Sequence, residues 1–238
     1  MNNIYIPSYN RADSVKTYEY LGYGKIIVPK SQEVAYKKRY GNAVYSIPDE
    51  RDGTVSKKRN AILDLITKEQ EDGYGWIIDD DLVNIKRKKE NLDLKAEEAL
   101  ELLEKVQIMA SDMGINYAGF DYSLDNMKLK DMSPFSFTKI IFGCTLVNAH
   151  DGLKYDERFK INEDVEFWVQ KLNLNRKLLK DNQYAMVFYG DDGGKDSVIG
   201  YSRNDARVYA TMLNNKWGKQ IMVWDKGRFR FKTPIIGA

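Results

Sequence analysis

The feature that most constrains the fold is an alternation of short apolar segments with longer amphipathic ones in the first part of the chain. The apolar segments, predicted as strands, are residues 3–7, 25–29, 43–47 and 76–78. The main amphipathic segments, predicted as helices, are residues 32–40 and 56–66, the second capped by Ser56. Strands connected through helices predict a parallel sheet, and such sheets bind ligands beyond the carboxyl ends of their strands. The polar residues 8–11 and 79–81 stand at two of these ends.

The second part of the chain has a different pattern. A long helix is predicted over residues 93–113, with an apolar stripe made of Ala96, Leu100, Leu103 and Val106. The strand-like runs that follow have little helix between them and are residues 117–122, 138–142 and 145–148. Two further helices are predicted, after Asn162 and over residues 204–215. This pattern predicts a more antiparallel region that packs onto the first.

Composition limits the possible classes of protein. With 238 residues, 43% of them apolar, the chain can form one large α/β domain with a buried core. The formal net charge of +2 argues against a protein whose whole surface binds a polyanion. Cys144 is the only cysteine, so neither an internal disulfide nor a cysteine-based zinc site is expected. With no signal pattern and no long apolar run, we expect a soluble, cytoplasmic protein without a membrane partner.

An acidic triplet, Asp79–Asp80–Asp81, directly follows the apolar run at residues 76–78. Three adjacent carboxylates repel one another unless a cation is present, and Mg²⁺ or Mn²⁺ prefers oxygen ligands. The alternative is a solvated acidic turn that leads into the basic residues 86–89. The preceding strand favours the metal site, because it places the carboxylates at the carboxyl end of a sheet.

Two other polar groups allow both a structural and a functional interpretation. In the structural interpretation of the first group, Asn162 caps a helix, and the charges of Glu163 and Asp164 interact favourably with the helix dipole. In the functional interpretation, one of the two carboxylates acts as a general base on an acceptor hydroxyl. Taken alone, the structural account is favoured. In the second, the basic residues within 52–60 open a helix that offers charge and N–H groups to a phosphate. An exposed basic helix face is the commoner explanation of such a cluster.

The C-terminal tail, residues 216–232, combines basic and aromatic side chains. Its basic residues are Lys216, Lys219, Lys226, Arg228, Arg230 and Lys232, and its aromatic ones are Trp217, Trp224, Phe229 and Phe231. Clustered cations bind phosphates, and interleaved aromatics can stack on an extruded base. The alternative is an edge hairpin that its basic residues keep soluble.

Taken in order, five segments resemble the GT-A glycosyltransferases, in particular the large family that begins with a Pro-x-Tyr-Asn-Arg segment. They are residues 6–11, 55–60, 77–81, 143–147 and 153–159, the last leading to Glu163 and Asp164. The resemblance covers residues 1–175. It implies a Rossmann-like α/β fold, with a mixed sheet flanked by helices, in one domain over residues 1–238. Residues 1–115 would bind the nucleotide sugar, and residues 116–238, with the basic tail, would bind the acceptor.

The resemblance also implies roles for individual residues. The nucleotide-sugar site would comprise Pro7, Ser8, Tyr9, Arg11, Arg59, Asp79 and Asp80. Asp81, together with Asp79, would bind Mn²⁺ or Mg²⁺ through the diphosphate of a UDP-sugar. Asp164 would be the catalytic base, with Glu163 beside it. The acidic residue that often follows the second strand is not evident, since residues 29–31 read Pro-Lys-Ser and Glu33 is only a loose match.

The C-terminal part resembles a narrower group, the bacteriophage glycosyltransferases that modify hydroxymethylated pyrimidines in DNA. The shared features are the short chain, the double glycine Gly193–Gly194 before an Arg-Asn helix, and Trp217–Gly218 followed by a basic strand. This resemblance implies DNA as the acceptor and the host cytoplasm as the compartment. Three alternatives stay open: transfer to a polysaccharide or protein, a nucleotidyltransferase, and a non-enzymatic DNA-binding module. The first strand is not followed by a Gly-rich phosphate loop, which counts against the nucleotidyltransferase.

Overall fold

A computed structural model describes residues 3–122, 133–189, 203–218, 221–225 and 228–231. The first elements are β1 (Ile4–Pro7), α1 (Lys16–Leu21), β2 (Lys25–Pro29), α2 (Glu33–Tyr40), β3 (Val44–Ile47), α3 (Val55–Glu69) and β4 (Tyr74–Ile78). The middle ones are β5 (Leu82–Arg87), β6 (Leu92–Asp93), α4 (Ala96–Asp112), β7 (Tyr117–Asp121), β8 (Phe135–Ser136) and β9 (Cys144–Asn148). The last are α5 (Glu163–Asn175), β10 (Leu179–Phe188), α6 (Arg203–Trp217), β11 (Met222–Asp225) and β12 (Arg228–Phe231).

Ten of these strands form one mixed sheet. Its order is β3-β2-β1-β4-β9-β7-β10-β5-β6, and β8 pairs with β10. The strands β3, β2, β1 and β4 are parallel, with Tyr5 opposite both Lys25 and Ile77. Beyond β4 the pairing is mainly antiparallel, except that β7 and β10 run parallel. The predicted fold class, with a parallel first part and a more antiparallel second part, is therefore confirmed.

Helices cover both faces of the sheet. Successive residues of a strand point to opposite faces, so a strand that is apolar throughout has side chains to bury on each face. Ile4 and Ile6 of β1 belong to the core cluster that includes α4, whereas Tyr5 belongs to the cluster that includes α3 and α5. Trp76 stacks on Phe120 in the first cluster, with ring centroids 5.7 Å apart. None of the helices in the described ranges has the length and apolarity that crossing a membrane needs.

The structure corrects two helix predictions. Thr54, not Ser56, caps α3: its side chain accepts a hydrogen bond from the backbone N–H of Lys57. Ser56 lies inside the helix and donates to the carbonyl of Phe159 at 2.7 Å. Helix α4 starts at Ala96 rather than at residue 93, which belongs to β6. Its fully buried stripe differs from the prediction and consists of Ala99, Leu102, Leu103, Val106 and Ala110.

The strand predicted over residues 138–142 is wrong, because this segment is irregular. Ile141 is fully buried there, but it packs against Gly119 of β7 instead of joining a ladder. The apolar run therefore reflects burial rather than strand pairing. Two long strands, β5 and β10, were not predicted, since both carry many charged and amide residues. They pair with each other, which lets these polar residues share one ladder.

Candidate active site

A pocket of about 490 Å³ lies at the carboxyl ends of β1 and β4. It is lined by Pro7, Ser8, Tyr9, Arg11, Asp52, Gly53, Thr54, Val55, Lys58, Arg59, Asp79, Asp80, Asp81, Glu163 and Asp164. All ten residues that the sequence predicts for the site are among them. The other five come from the loop before α3 and its first turns. Segments far apart in the chain thus meet at the sheet edge where a ligand was expected.

Asp80 fastens the end of β4 to the loop after β1. One carboxylate oxygen accepts a hydrogen bond from Ser8 Oγ at 2.5 Å, and the other accepts from Arg11 Nη1 at 2.7 Å. The Ser8 hydroxyl is also 2.9 Å from the hydroxyl of Tyr36. Burial raises the pKa of Asp80 above its ordinary value. Both Asp80 oxygens are thus engaged in holding the pocket together.

Asp81 has a weaker set of partners. Its Oδ2 lies 3.4 Å from Arg11 Nη1. Burial, followed by repulsion from Asp79 and Asp80, raises its pKa to about 6. A cation placed beside this carboxylate would relieve the repulsion and lower its pKa. Of the three acids, Asp81 therefore has the most to gain from a positive ligand.

Arg59 connects two acidic groups that lie far apart in the sequence. Its Nη2 donates to Asp79 Oδ1 at 2.7 Å, and its Nη1 donates to Glu163 Oε1 at 3.1 Å. Only 9% of its side chain is exposed. Burial lowers the pKa of the guanidinium, but Asp79 and the other nearby acidic groups raise it by more. Arg59 therefore stays charged and sets the spacing between the end of β4 and the start of α5.

Glu163 and Asp164 begin α5 and face the pocket. Burial raises the pKa of both carboxyl groups, that of Glu163 to about 7, with the Asp164 charge as its second cause. Asp164 Oδ1 accepts from the backbone N–H of Val165 at 2.7 Å. The predicted side-chain cap by Asn162 is absent: this residue has φ +62° and its side chain caps no helix N–H. The acid pair is thus held by burial and Arg59 rather than by a capped turn.

Lys58 is a pocket residue that the sequence prediction did not single out. Its side chain is 6% exposed, and its Nζ donates to the carbonyl of Ser8 at 2.5 Å and lies 3.1 Å from Asp52 Oδ2. The same ammonium is 5.3 Å from the ring centroid of Tyr9. Burial lowers its pKa. Its spacing from Ile62 could have revealed it, because i and i+4 share one helix face and Ile62 is buried. The alternative of an exposed basic helix face is therefore wrong for Lys58 and Arg59.

The loop before α5 is tied to α3 by hydrogen bonds. Asn60 donates to the carbonyl of Tyr155 at 3.0 Å and accepts from its backbone N–H at 2.8 Å. Asn60 also donates to Glu157 Oε1 at 3.0 Å. These contacts bring residues 153–159 onto the helix that carries Arg59. They explain how the acid pair reaches a pocket formed by the first part of the chain.

The residues present fit a metal ion that is shared with a substrate. Among the described residues, no three His, Cys, Asp or Glu side chains are grouped so as to hold a metal by themselves. Mg²⁺ is usually bound through one or two carboxylates together with substrate phosphates, so such a group is not required. Asp81, crowded by two other acids, and Asp79, whose side chain is 35% exposed, are the residues whose carboxylate oxygens could hold such an ion.

The basic tail is only partly described. Lys219, Lys226, Lys232 and the segment Gly193–Gly194–Lys195 lie outside the described residues. Strands β11 and β12 pair as an antiparallel two-stranded sheet, the hairpin of the structural alternative. Lys216 lies 2.7 Å from both Asp156 and the fully buried Glu166. Since these ion pairs engage its ammonium, Lys216 contributes to packing rather than to an open cationic surface.

The mixed sheet and the acidic pocket at the carboxyl ends of its strands match the architecture that the resemblance to GT-A enzymes implies. A family model described as TET-Associated Glycosyltransferase matches residues 2–188. The chain belongs to this family. This membership favours a glycosyltransferase over the alternatives of a nucleotidyltransferase and a non-enzymatic DNA-binding module.

Solved structures show the same fold at low sequence identity. The chain is similar to glucosyl-3-phosphoglycerate synthase from Mycobacterium tuberculosis, in complex with Mn²⁺, UDP and glucosyl-3-phosphoglycerate. The TM-score is 0.54 and the identity 10%, with 97% of this chain and 86% of that chain covered. It is also similar to S. aureus TarS 1-349 in complex with UDP, with a TM-score of 0.50, 13% identity and coverage of 92% and 72%. No curated protein matches the chain.

Proposed function

We propose that this glycosyltransferase is metal-dependent and moves a sugar from a UDP-sugar to a hydroxyl group. The observation that carries the proposal is that one pocket combines three kinds of group: an aromatic loop with cations, the acidic triplet, and the buried acid pair. In this proposal residues 1–115 form the donor half of one domain and residues 116–238 form the acceptor half.

The donor nucleotide would lie along the loop after β1. Tyr9 is 45% exposed above the Lys58 ammonium, so its ring can pack against the base. Pro7 and Ser8 shape this wall, and Arg11 and Arg59 bring positive charge to the diphosphate. The synthase from M. tuberculosis, which shares the fold, has a structure with Mn²⁺ and UDP, and this supports a UDP-sugar as donor.

Asp81, with Asp79, would hold Mn²⁺ or Mg²⁺ next to the diphosphate. When bound, such an ion neutralises the negative charge that develops on the leaving diphosphate. Asp80 keeps the end of β4 against the loop after β1, so the triplet keeps its position. Arg59 adds charge close to Asp79 and orients the Glu163 carboxylate.

Asp164 would take the proton from the acceptor hydroxyl, with Glu163 beside it. The acceptor oxygen then bonds to the anomeric carbon, while the bond from that carbon to the diphosphate oxygen breaks and UDP leaves. Burial raises the pKa of both carboxyl groups, that of Glu163 to about 7, and a raised pKa makes a carboxylate a better general base. If the enzyme retains configuration, the leaving phosphate replaces Asp164 in this step.

The acceptor we favour is a 5-hydroxymethylated pyrimidine in DNA. Support comes from the resemblance of the C-terminal part to phage DNA glycosyltransferases and from the basic, aromatic composition of the tail. The described Lys216 does not add to this support. A polysaccharide or protein acceptor is the alternative. We place the reaction in the cytoplasm, which is the host cytoplasm if the gene is carried by a phage.

Two measurements test the proposal. The melting temperature is recorded with UDP, with Mn²⁺ and with both, because a ligand that binds only the folded state raises it. A rise that needs both and disappears in Asp81→Ala supports the donor site, whereas no rise with any combination contradicts it. Transfer from UDP-glucose and other UDP-sugars is then assayed on matched oligonucleotides that contain 5-hydroxymethylcytosine or cytosine. Transfer to neither oligonucleotide contradicts the DNA acceptor.

A further inference from the structure

Two exposed tyrosines, Tyr122 and Tyr189, follow strands β7 and β10 and lie outside the residues that line the pocket. Tyr189 donates its backbone N–H to the carbonyl of Asp81 at 2.7 Å and is 61% exposed. Tyr122, which directly follows β7, is 47% exposed. A tyrosine combines a large apolar ring with a polar hydroxyl, and such side chains are enriched at interfaces.

The sheet topology explains why these residues are close to the triplet. Strands β7 and β10 run parallel to each other, so Tyr122 and Tyr189 leave them at the same edge of the sheet. Strand β9 runs antiparallel to both β7 and β4. Strands β4, β7 and β10 therefore all end at the edge where the pocket lies.

Tyr122 belongs to a cluster that we call the aromatic shelf, which consists of Tyr122, Phe142 and Phe188, and Tyr189 follows Phe188 in the chain. The ring of Tyr122 stacks on Phe188, with centroids 6.1 Å apart and planes inclined by 23°. Phe142 meets the Tyr122 ring nearly edge-on, at 6.4 Å and 71°. Phe188 is 8% exposed, so it supports the exposed tyrosine from the protein side.

Gly143 couples the shelf to the triplet. Its φ is +65°, and a Cβ at this position would lie 2.4 Å from the ring of Phe188. Its carbonyl accepts a hydrogen bond from the backbone N–H of Asp79 at 2.8 Å. Because the same residue makes room for Phe188 and holds Asp79, the shelf is fixed in position relative to the acidic triplet.

The ammonium group of Lys16 lies near the ring of Tyr189, the residue that follows Phe188. Lys16 Nζ lies 6.0 Å from the ring centroid of Tyr189, and an exposed ion pair of 3.3 Å links it to Glu19. Such exposed pairs contribute little energy, so this ammonium can exchange its partner for a phosphate. An aromatic platform beside a cation is the combination that binds single-stranded or extruded nucleotides.

From this geometry we infer that the Tyr122 ring stacks on the acceptor base, with Phe188 as its support and Lys16 beside the phosphate backbone. The inference rests on the proposed function for the identity of the acceptor, a pyrimidine taken out of its base stack. Enzymes that modify a base in DNA need such a surface, because the target atom is out of reach inside a duplex.

The test measures binding separately from transfer. A fluorescein-labelled single-stranded oligonucleotide with one 5-hydroxymethylcytosine is titrated with the protein at fixed salt, and fluorescence anisotropy gives the Kd. We expect Tyr122→Ala to raise the Kd about tenfold, since aromatic stacking contributes strongly to the binding of each base. Tyr122→Phe keeps the ring and should bind like the wild type. Tyr45→Ala is the matched control, because Tyr45 is 43% exposed on the distant edge strand β3.

An unchanged Kd in Tyr122→Ala, or a wild-type protein that does not bind the oligonucleotide, overturns the inference. An equal rise of the melting temperature by UDP and Mn²⁺ in wild type and Tyr122→Ala shows that the donor site has stayed intact. Transfer to the same oligonucleotide is assayed in parallel. Binding that depends on Tyr122 without any transfer supports the shelf and contradicts the proposed reaction, so the two ideas can fail separately.

Discussion

The pocket has two acidic walls, and they differ in how their carboxylates are held. In the triplet after β4, side chains hold the carboxylates: Arg59 pairs with Asp79, Ser8 and Arg11 bind Asp80, and Arg11 also lies 3.4 Å from Asp81. In the pair at the start of α5, Glu163 pairs with Arg59, and the Asp164 carboxylate accepts from the backbone N–H of Val165. Burial raises carboxyl pKa values in both walls, and that of Glu163 reaches about 7. The two walls therefore differ in the partners of their carboxylates rather than in burial.

The pair shows which of two opposing effects is larger. A helix N-terminus stabilises negative charge and should lower the pKa of Glu163 and Asp164. The structure gives raised pKa values instead, because removal from water costs a carboxylate more than the helix dipole returns. Acidic residues in a first helical turn can therefore be catalytic even where the sequence favours a purely structural role.

Removal of a carboxylate from the acidic triplet should have the largest effect on sugar transfer. In Asp81→Ala we expect transfer to fall below detection, because charge stabilisation of the leaving diphosphate is worth several kcal/mol, roughly a thousandfold in rate or more. The joint effect of UDP and Mn²⁺ on the melting temperature should vanish as well. Asp112→Ala, at the exposed end of α4, is the control. Activity of Asp81→Ala close to that of the wild type would refute the metal site.

Removal of the proposed base from the acid pair should slow sugar transfer but leave binding of the donor nucleotide intact. Asp164→Asn removes the proposed base at nearly constant shape, and kcat should fall by about a hundredfold or more. The rise of the melting temperature with UDP and Mn²⁺ should persist, in contrast to Asp81→Ala. If kcat is retained, the leaving phosphate activates the acceptor, and the configuration of the product can be checked by NMR.

Removing Arg59 tests the link between the walls. Arg59→Ala leaves the buried Glu163 carboxylate without its partner, so at pH 8 the free energy of unfolding should fall by about 3 kcal/mol. Urea denaturation measures this loss. Arg51→Ala is the control, because its pairing with Asp64 is exposed and should contribute under about 1 kcal/mol. Equal losses in the two variants would show that the bridge is not a structural link.

The pH dependence of transfer should follow the pair. The proposed base, Asp164, must be deprotonated to accept a proton, and burial raises its pKa above the ordinary value of an aspartate. We therefore expect kcat/KM to level off above this raised pKa and to fall by up to about tenfold per pH unit below it. A profile that stays flat down to the ordinary aspartate pKa of about 3.9 would contradict this assignment.

The smallest expected effect is a pH-dependent change in the stability of the folded protein when Glu163 is replaced. A carboxyl group whose pKa is raised by folding stabilises the fold while protonated, and this stability is lost as pH rises through about 7. Glu163→Gln should thus gain stability relative to the wild type between pH 5.5 and pH 8, on the order of 1 kcal/mol. Thermal melts at both values measure it, with Glu97→Gln on the exposed first turn of α4 as control. A gain of the same size in both variants would assign it to surface charge.

Much of the fold was predictable because its signals are local. Strands β1 to β4 are short apolar runs between amphipathic helices, and connection rules order them as a parallel sheet. Strands β5 and β10 escaped prediction because each is stabilised by pairing with a partner about a hundred residues away. A strand was wrongly predicted over residues 138–142, because Ile141 is buried there although the segment pairs with no strand.

The sequence by itself determined which residues could form the site, since polar groups that follow buried strands must gather at one sheet edge. Only the tertiary structure decided which partners and how much burial each of them has. It placed Arg59 between Asp79 and Glu163, buried Lys58 under Tyr9, and raised the pKa values of the acid pair. The physical reason is that the charge state of a carboxylate depends on burial and on neighbours at a few ångströms, and these neighbours come from distant parts of the chain.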